Sequence, residues 1–345
     1  MVNETAIAVH SPFTIHHSQF TIYQGYLSVQ RYIIRRVLAI FPLLLFATAF
    51  SFILGQYGAG DLAAYLTMRE GGGQINLDRY YEIREILHLD DPVIVRYGRW
   101  LWNALQGDLG TSWVSVGSPE VTDMILIAIP ISLQLGLAAM VFLLVLSIPL
   151  GVLAAVMHNS VLDHFIVAGA TLISSIPDFV RAPLFMIFLV AEWQLLPYVG
   201  LGWHGLFSAN TILPALVLAT GPLLALIRYT RSSVLEALSQ DYIRTARAKG
   251  LTEFRVITGH VIKNSMTPVL TVLGLTTANL LAGSIFIEPI FNLRGFGTLA
   301  FNAISGGDLD TATGVLLIGA TLIMVANLLV DLMYGLLDPR VRIAE

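Results

Sequence analysis

The sequence predicts an all-α integral membrane protein with six transmembrane helices and both termini in the cytosol. Of its 345 residues, 56% are hydrophobic and only 12% are charged, whereas a soluble domain carries about 25% charged residues. The hydrophobic residues form long runs, and the lysines and arginines gather between alternate runs. The chain contains no cysteine, which excludes a disulfide framework, a thiolate metal site and a cysteine nucleophile.

The first hydrophobic run, residues 37–54, follows Arg35 and Arg36 and therefore has the charge pattern of a signal peptide. At about 18 residues it is long enough to cross the hydrocarbon core of a bilayer as a helix of about 27 Å. No small-residue cleavage site follows it. We therefore predict an uncleaved first span over about 35–54, preceded by a cytosolic N-terminal tail of residues 1–30.

Five further hydrophobic runs complete the predicted set of six spans. Pro130 and Pro149 lie in a run longer than one bilayer crossing, so tilt or a kink is expected there. Pro177 lies near the middle of the next run, and lipid tolerates such a break only where other helices or water satisfy the freed backbone groups. The five runs cover about 124–156, 164–191, 212–230, 267–287 and 312–336.

The segment between the first two spans, 55–123, is predicted to be aqueous because it holds ten carboxylates and five arginines. Asn76 has the side chain of an N-cap for a helix that runs to about Leu89. Asp91, followed by a proline, predicts the start of a second helix, which Gly107 ends. We expect this helix to place Trp100 and Trp102 near the membrane interface and to pack through one face formed by Ile94, Tyr97, Leu101, Ala104 and Leu105.

The distribution of lysine and arginine predicts the orientation. If the amino terminus is cytosolic, twelve of the nineteen basic residues fall in inner segments and six in outer ones. The outer six are spread over a much longer segment and are offset by acids. Because cytoplasmic loops carry the excess of positive charge, this division predicts cytosolic termini.

The polar interval at 231–266, called here the inner loop, is the longest on the predicted cytosolic side and is net basic. Residues 236–251 are rich in alanine, leucine and arginine without proline, which predicts a helix, and a second helical stretch is expected over 253–264. One interpretation is a solvated helical hairpin; the other is a docking element for a soluble motor subunit. Another backbone could approach closely at the small residues Ala246, Ala248 and Gly250.

The decapeptide YIRTARAKGL at 242–251 resembles the conserved cytosolic loop of binding-protein-dependent ABC transporter permeases of the dipeptide, oligopeptide and nickel branch. Arg244 stands where the general loop pattern has an acid, as is common in this branch. The outer segment 89–113 resembles that of the B-type subunit. Further family-like stretches lie at 147–155, 175–179, 196–200, 288–299 and 327–342.

This resemblance implies the type I ABC importer permease fold, with a helical extracytoplasmic segment at 55–123, in a bacterial or archaeal cytoplasmic membrane. The implied partners are a C-type permease in a heterodimer, two ATPase subunits and an extracytoplasmic binding protein, with no nucleic acid. The chain has no G-x-x-x-x-G-K-[ST] phosphate loop, so ATP and Mg²⁺ are expected on the partners and no cofactor, metal or catalytic residue on this chain. The implied ATPase contacts are Tyr242, Arg244, Thr245, Ala246, Arg247, Ala248, Lys249, Gly250 and Leu251.

Pro177, Asp178 and Arg181 are the candidate translocation-path residues, because the family usually has apolar or small residues after this proline. Asp178 and Arg181 are three positions apart and share a helix face. An intramembrane charge needs a partner or a watery cavity. The two residues could pair with each other, line the path and meet the termini of a zwitterionic peptide, or lie near the surface at a span end.

Three other functions are compared with a peptide importer subunit. The same family also carries nickel chelates and oligosaccharides, and the sequence does not separate these substrates. An ion-coupled secondary transporter could use Asp178, Arg181 and Asp331 as its coupling site, but it predicts inverted repeats that six unequal spans do not show and leaves the inner loop without a role. A membrane enzyme is disfavoured because no nucleophile and base, or set of metal ligands, is apparent.

Overall fold

The computed structural model describes residues 38–53, 61–112, 114–197, 203, 205–281 and 283–337, and only the backbone of 267, 275, 278, 279, 281 and 331–337. Residues 44–327 form one compact unit, and the described residues 38–43 and 328–337 belong to a second. The predicted tail 1–30 and the side chain of Asp331 lie outside the described part.

The all-α prediction is confirmed for the described residues, which form helices and one isolated antiparallel bridge between Thr111 and Glu120. Helix α7 continues into a π-helical segment, Met186–Glu192, and α11 into another, Ile257–Val261. The helices are α1 Leu38–Ile53, α2 Leu62–Glu70, α3 Leu77–Ile86, α4 Val93–Leu105, α5 Val121–Val156, α6 Val161–Ser175, α7 Asp178–Phe185, α8 Ala209–Thr220, α9 Leu223–Leu238, α10 Asp241–Ala248, α11 Glu253–Val256, α12 Ile262–Leu281, α13 Ile287–Ile290, α14 Phe296–Gly306 and α15 Leu309–Leu337.

By length and composition, two of the described helices can cross a membrane: α5, with a mean hydropathy of 2.6, and Leu309–Val330 of α15, with 2.2. Two bent helix pairs, α6 with α7 and α8 with α9, raise this to as many as four described spans. The count of six therefore stays a prediction, while the apolar helical character expected of a membrane protein is present.

Helix α5 is the central element of the larger unit. Its 36 residues stay in one helix of about 54 Å although Pro130 and Pro149 lie inside it. Small residues on its buried face let other helices approach closely: a Cβ added at Gly151 would lie 2.6 Å from Cβ of Thr230 on α9. Helix α5 packs against α6, α8, α9, α12 and α14.

The stretches predicted as the third and fourth spans are each broken into two helices. Helices α6 and α7 meet at 110°, and α8 and α9 at 62°. The first break lies at Ile176, whose extended conformation (φ −81°, ψ 125°) is the one that a following proline, Pro177, favours. The second lies at Gly221 and Pro222.

Arg181 joins the two breaks. Its side chain is buried, and its Nη1 donates to the carbonyl oxygens of Ile173 and Ile176, each at 3.2 Å, at the end of α6. Nη2 pairs with the carboxylate of Asp178 and lies 3.3 Å from the position of a Cβ built on Gly221. The guanidinium therefore supplies a donor to the carbonyl of Ile176 at the break and adds a donor to that of Ile173, which also accepts the backbone N–H of Ile176 at 3.3 Å.

A second contact links the same two breaks. The hydroxyl of Ser174 donates to the carbonyl oxygen of Thr220 at 3.2 Å, so the end of α6 is bonded to the end of α8. The α6–α7 and α8–α9 pairs consequently share one polar junction inside an otherwise apolar core.

The outer segment confirms one predicted helix start and corrects another. Asn76 caps α3 by accepting from the backbone N–H groups of Asp78 and Arg79 at 3.0 and 3.3 Å. Asp91 does not cap α4: the cap position is Pro92, and the Asp91 carboxylate pairs with Arg99 at 2.7 Å instead.

The predicted packing face of α4 was wrong at its edges. Trp100, only 7% exposed, is at the centre of the face, beside Tyr97, Leu101 and Ala104. At 100° per residue the two outer positions lie about 120° and 140° around the helix from Trp100. They are 84% and 74% exposed, at Ile94 and Leu105 respectively.

Glu288, on α13, organises the loop between α12 and α15. Its carboxylate is fully buried and accepts the Ser132 hydroxyl of α5 at 2.7 Å and the backbone N–H groups of Ser284 and Thr298 at 3.2 and 3.1 Å. The Ser132 oxygen in turn accepts the backbone N–H of Phe296 at 2.7 Å. This network ties the loop to the central helix.

We predict that Arg181→Met destabilises the folded chain by about 1–3 kcal/mol, because it takes the ion-pair partner from the half-exposed carboxylate of Asp178 and removes the side-chain donors from the carbonyls of Ile173 and Ile176. The Asp178→Asn/Arg181→Met double variant is expected to lose less stability than Arg181→Met alone, since no charge is then left unpaired. The thermal unfolding midpoint of the purified complex measures both. Arg255→Met, at an exposed position of α11, is the control, and an equal midpoint for it and Arg181→Met would contradict the role given to Arg181.

We also predict that Gly295→Ala lowers the free energy of unfolding by about 1–3 kcal/mol through overpacking. The added methyl group would lie 2.5 Å from Oε2 of Glu288 and 2.7 Å from the Ser132 hydroxyl. Gly98→Ala is the matched control, because a Cβ there meets nothing within 4 Å. Equal thermal midpoints for the two variants would count against the tight packing around Glu288.

Candidate functional site

The inner loop contains a separate short helix, α10, and not the continuous helix predicted over 236–251. Helix α9 ends at Leu238, and Gln240 adopts an extended conformation (φ −76°, ψ 149°) that starts α10 afresh. Gly250, with φ +79°, ends the helical stretch in the left-handed region, as predicted from its residue type.

The inner face of α10 is fixed to the rest of the protein. Ile243 and Ala246 are buried in a cluster with residues of α5, α9 and the segment after α10. Ala246 is only 6% exposed, so its small size serves the packing of this chain, and its contact with an ATPase stays a prediction. The remaining buried members of the cluster are Ala155, Val234, Ala237, Val256 and Val261.

The outer face of α10 presents the other predicted contact residues. Tyr242 is 40% exposed, and Leu251 is half-buried at the edge of the cluster. The face is polar and carries more positive than negative charge. Its exposed members are Tyr242, Arg244, Thr245, Arg247, Ala248, Lys249 and Gly250.

Two ion pairs shape this face. Arg247 forms a two-bond pair with Glu253 across the turn after α10, at 2.6 and 3.1 Å, and its hydrogen bonds lower the pKa of Glu253. Arg244 pairs with Asp241 at 3.3 Å on the helix itself. Exposed ion pairs of this kind contribute about 0–1 kcal/mol to the free energy of folding, so they orient the side chains more than they stabilise the fold.

An ion pair that was not predicted from the sequence joins α6 to α9, the helix that precedes α10. Asp163, buried at the start of α6, accepts two hydrogen bonds from Arg231 of α9, at 2.8 and 2.7 Å, and one from the backbone N–H of Asn159 at 3.0 Å. Nδ1 of His158 lies 2.9 Å from Arg231. The turn between α5 and α6 is thereby tied to the helix that leads to α10.

The other predicted site lies elsewhere, on α7. The structure brings Asp178 and Arg181 together as the ion pair described above, with Pro177 at the cap of α7. The Arg181 side chain is 2% exposed and that of Asp178 is 40% exposed, so only the carboxylate is accessible from outside. Among the described residues, no group of three or more potential metal ligands is present.

Comparisons with known proteins agree with the predicted resemblance. A family model for the binding-protein-dependent transport system inner membrane component matches residues 147–343. The dipeptide transport system permease protein DppB of Escherichia coli strain K12 is 36% identical over 339 residues, covering 90% of this chain and 98% of that protein. The oligopeptide transport system permease protein AppB of Bacillus subtilis strain 168 is 37% identical over 324 residues, with coverages of 90% and 98%.

A solved structure supports the fold. An inward-facing conformation of the MetNI methionine ABC transporter contains a chain that matches with a TM-score of 0.52 and 16% identity, covering 62% of this chain and 96% of that one. The family's members are components of transport systems, which confirms the prediction of a transport subunit in place of an enzyme. The chain described here belongs to the family of binding-protein-dependent transport system inner membrane components.

Proposed function

We propose that this chain is the membrane-spanning permease subunit of an ATP-driven importer for peptides and forms half of the translocation path. The observation that carries the proposal is α10, a short helix with one face buried against α5 and α9 and a polar, net basic face left exposed. Relatives named as dipeptide and oligopeptide permeases favour peptides over nickel chelates or oligosaccharides.

The partners follow from what the chain lacks and from its family. Two ATPase subunits bind ATP and Mg²⁺, since the sequence has no phosphate loop. A C-type permease completes a heterodimer, and an extracytoplasmic binding protein delivers the peptide. In this proposal the chain crosses the cytoplasmic membrane six times, with both termini and α10 inside.

The packing of α10 explains how it transmits force. Ile243 and Ala246 are seated in the same apolar cluster as Ala155 of α5 and Val234 of α9. A push on α10 by a closing ATPase therefore moves the inner ends of two core helices, because a packed cluster does not deform continuously. ATP binding biases the permease pair between inward-open and outward-open arrangements in this way.

For the translocation path we propose that Pro177 and Asp178 lie beside it and that Arg181 positions Asp178. Asp178 is the exposed member of the pair, and Arg181 is held by two backbone carbonyls. In this proposal the carboxylate of Asp178 contacts the peptide, and the buried guanidinium of Arg181 holds that carboxylate in position.

We predict that Gly250→Trp leaves membrane insertion intact and lowers peptide-stimulated uptake at least tenfold, because an indole at the end of α10 blocks the ATPase surface. Uptake into proteoliposomes and co-purification of the ATPase measure the effect. Gly250→Asn controls for backbone strain, since asparagine tolerates the left-handed conformation at φ +79°. Normal uptake and normal co-purification for the tryptophan variant would refute the docking role of α10.

We predict that the Asp178→Asn/Arg181→Met variant loses the preference for peptides with free termini over peptides with blocked termini. Competition for uptake between free and blocked forms of one peptide gives the measurement. Only complexes that purify intact are compared, and wild-type protein is the control. An unchanged preference would remove Asp178 from the path.

A further inference from the structure

The exposed surface of α6 is divided lengthwise into a polar and an apolar half. His164, Ala168, Thr171 and Ser175 are exposed and follow each other at spacings of four, three and four, so they form one stripe along the helix. We call this the polar stripe. The other half of the exposed surface is apolar and bulky, and it consists of Val161, Leu162, Phe165 and Leu172 at 88%, 37%, 74% and 70% exposure.

His164, in the first turn of α6, brings the polar stripe next to α9, which carries the exposed Arg228. An open pocket of about 400 Å³ lies between the two helices. Arg228 is exposed, and no ion pair is found for it among the described residues, whereas Arg231 is occupied by Asp163. The pocket is lined by Asp163, His164, Val167, Arg228, Arg231 and Ser232.

The stripe makes no polar contact with another helix in the described structure. Thr171 and Ser175 donate to carbonyls four residues earlier, of Val167 and Thr171, each at 2.7 Å. Nδ1 of His164 lies 2.7 Å from the carbonyl oxygen of Ser160. These residues therefore do not hold the fold together, and their separation from the apolar half calls for another cause.

The surroundings of a membrane helix provide that cause. A bulky apolar face suits lipid, whereas exposed charge inside a membrane protein faces a watery cavity or a partner because its desolvation is costly. The stripe begins at the charged pocket with Arg228 and runs along α6 to Ser175, and the accessible Asp178 follows three residues later, after the break between α6 and α7. A charged pocket followed by small and polar exposed side chains is what an aqueous path requires.

We propose that the polar stripe of α6, with the neighbouring face of α9, lines the water-filled translocation path, and that Arg228 is the cation met by the carboxylate of a peptide near the inner end. The orientation and the substrate class rest on the proposed function. The path holds a transported peptide and water. The apolar half of the exposed surface of α6 faces lipid.

Thiol accessibility tests the assignment of the two faces. The chain has no cysteine, so each introduced cysteine is its only thiol. In the assembled complex, Thr171→Cys and Ser175→Cys are expected to react at least tenfold faster with a membrane-impermeant methanethiosulfonate than Leu172→Cys and Phe165→Cys. Leu172 is the closest control, because it adjoins Thr171 at the same depth. Peptide and binding protein together should slow the reaction of the stripe cysteines.

Three results would overturn the assignment of the faces. One is equal or faster reaction at Leu172→Cys and Phe165→Cys. Another is rapid quenching of a spin label at Thr171→Cys by a lipid-soluble reagent, which would place the stripe against lipid. The third is protection of Thr171→Cys in every nucleotide state together with cross-linking to the second permease, which would make the stripe a subunit contact.

Substrate dependence tests Arg228. Arg228→Gln is expected to raise the half-saturating concentration about tenfold for a peptide with a free carboxyl terminus and to leave that for its C-terminal amide unchanged. Arg255→Gln, an exposed arginine of α11, is the matched control. An equal change for acid and amide would overturn the role of Arg228. If the wild-type complex takes up no peptide at all, the proposed function fails, while the labelling pattern still decides whether the stripe is aqueous.

Discussion

The packing of the two broken helix pairs depends on a buried arginine, Arg181, whose side chain donates to backbone carbonyls at the break between α6 and α7. Arg181 donates to the carbonyls of Ile173 and Ile176 and pairs with Asp178. Its position beside Gly221 brings the second break to the same point. Because an unsatisfied group costs several kcal/mol in lipid, two broken helix pairs are tolerated only as one bonded junction.

Buried polar or apolar contacts anchor two other regions in the same way. Near α10, Asp163 and Arg231 tie the α5–α6 turn to α9, and the apolar cluster around Ile243 holds α10 on the core helices. In the loop between α12 and α15, Glu288 ties α13 and α14 to α5 through Ser132. Helix α5 contributes to each of these regions, so a displacement of α10 reaches the core through packed contacts.

Much of the fold was predictable because its signals are local. Hydrophobic runs indicated the helices, Asn76 indicated the start of α3, and Gly250 indicated the end of the helical stretch that contains α10. The predictions that failed depended on side chains distant in sequence. Asp91 was taken as a cap because nothing local reveals Arg99 as its partner, and Ile94 and Leu105 were placed on the packing face because periodicity does not show that Trp100 is its centre.

By itself, the sequence determined that this is an apolar all-helical protein with a basic inner loop and no phosphate loop, and the YIRTARAKGL motif indicated its family. Composition, periodicity and short motifs suffice for these conclusions because each signal lies within a short stretch of consecutive residues. Only the tertiary structure decided which side of α10 is free, that Ala246 faces inward, that Arg181 closes two breaks, and that the exposed surface of α6 has a polar half. These properties depend on which distant helices pack together, and local sequence does not encode that packing.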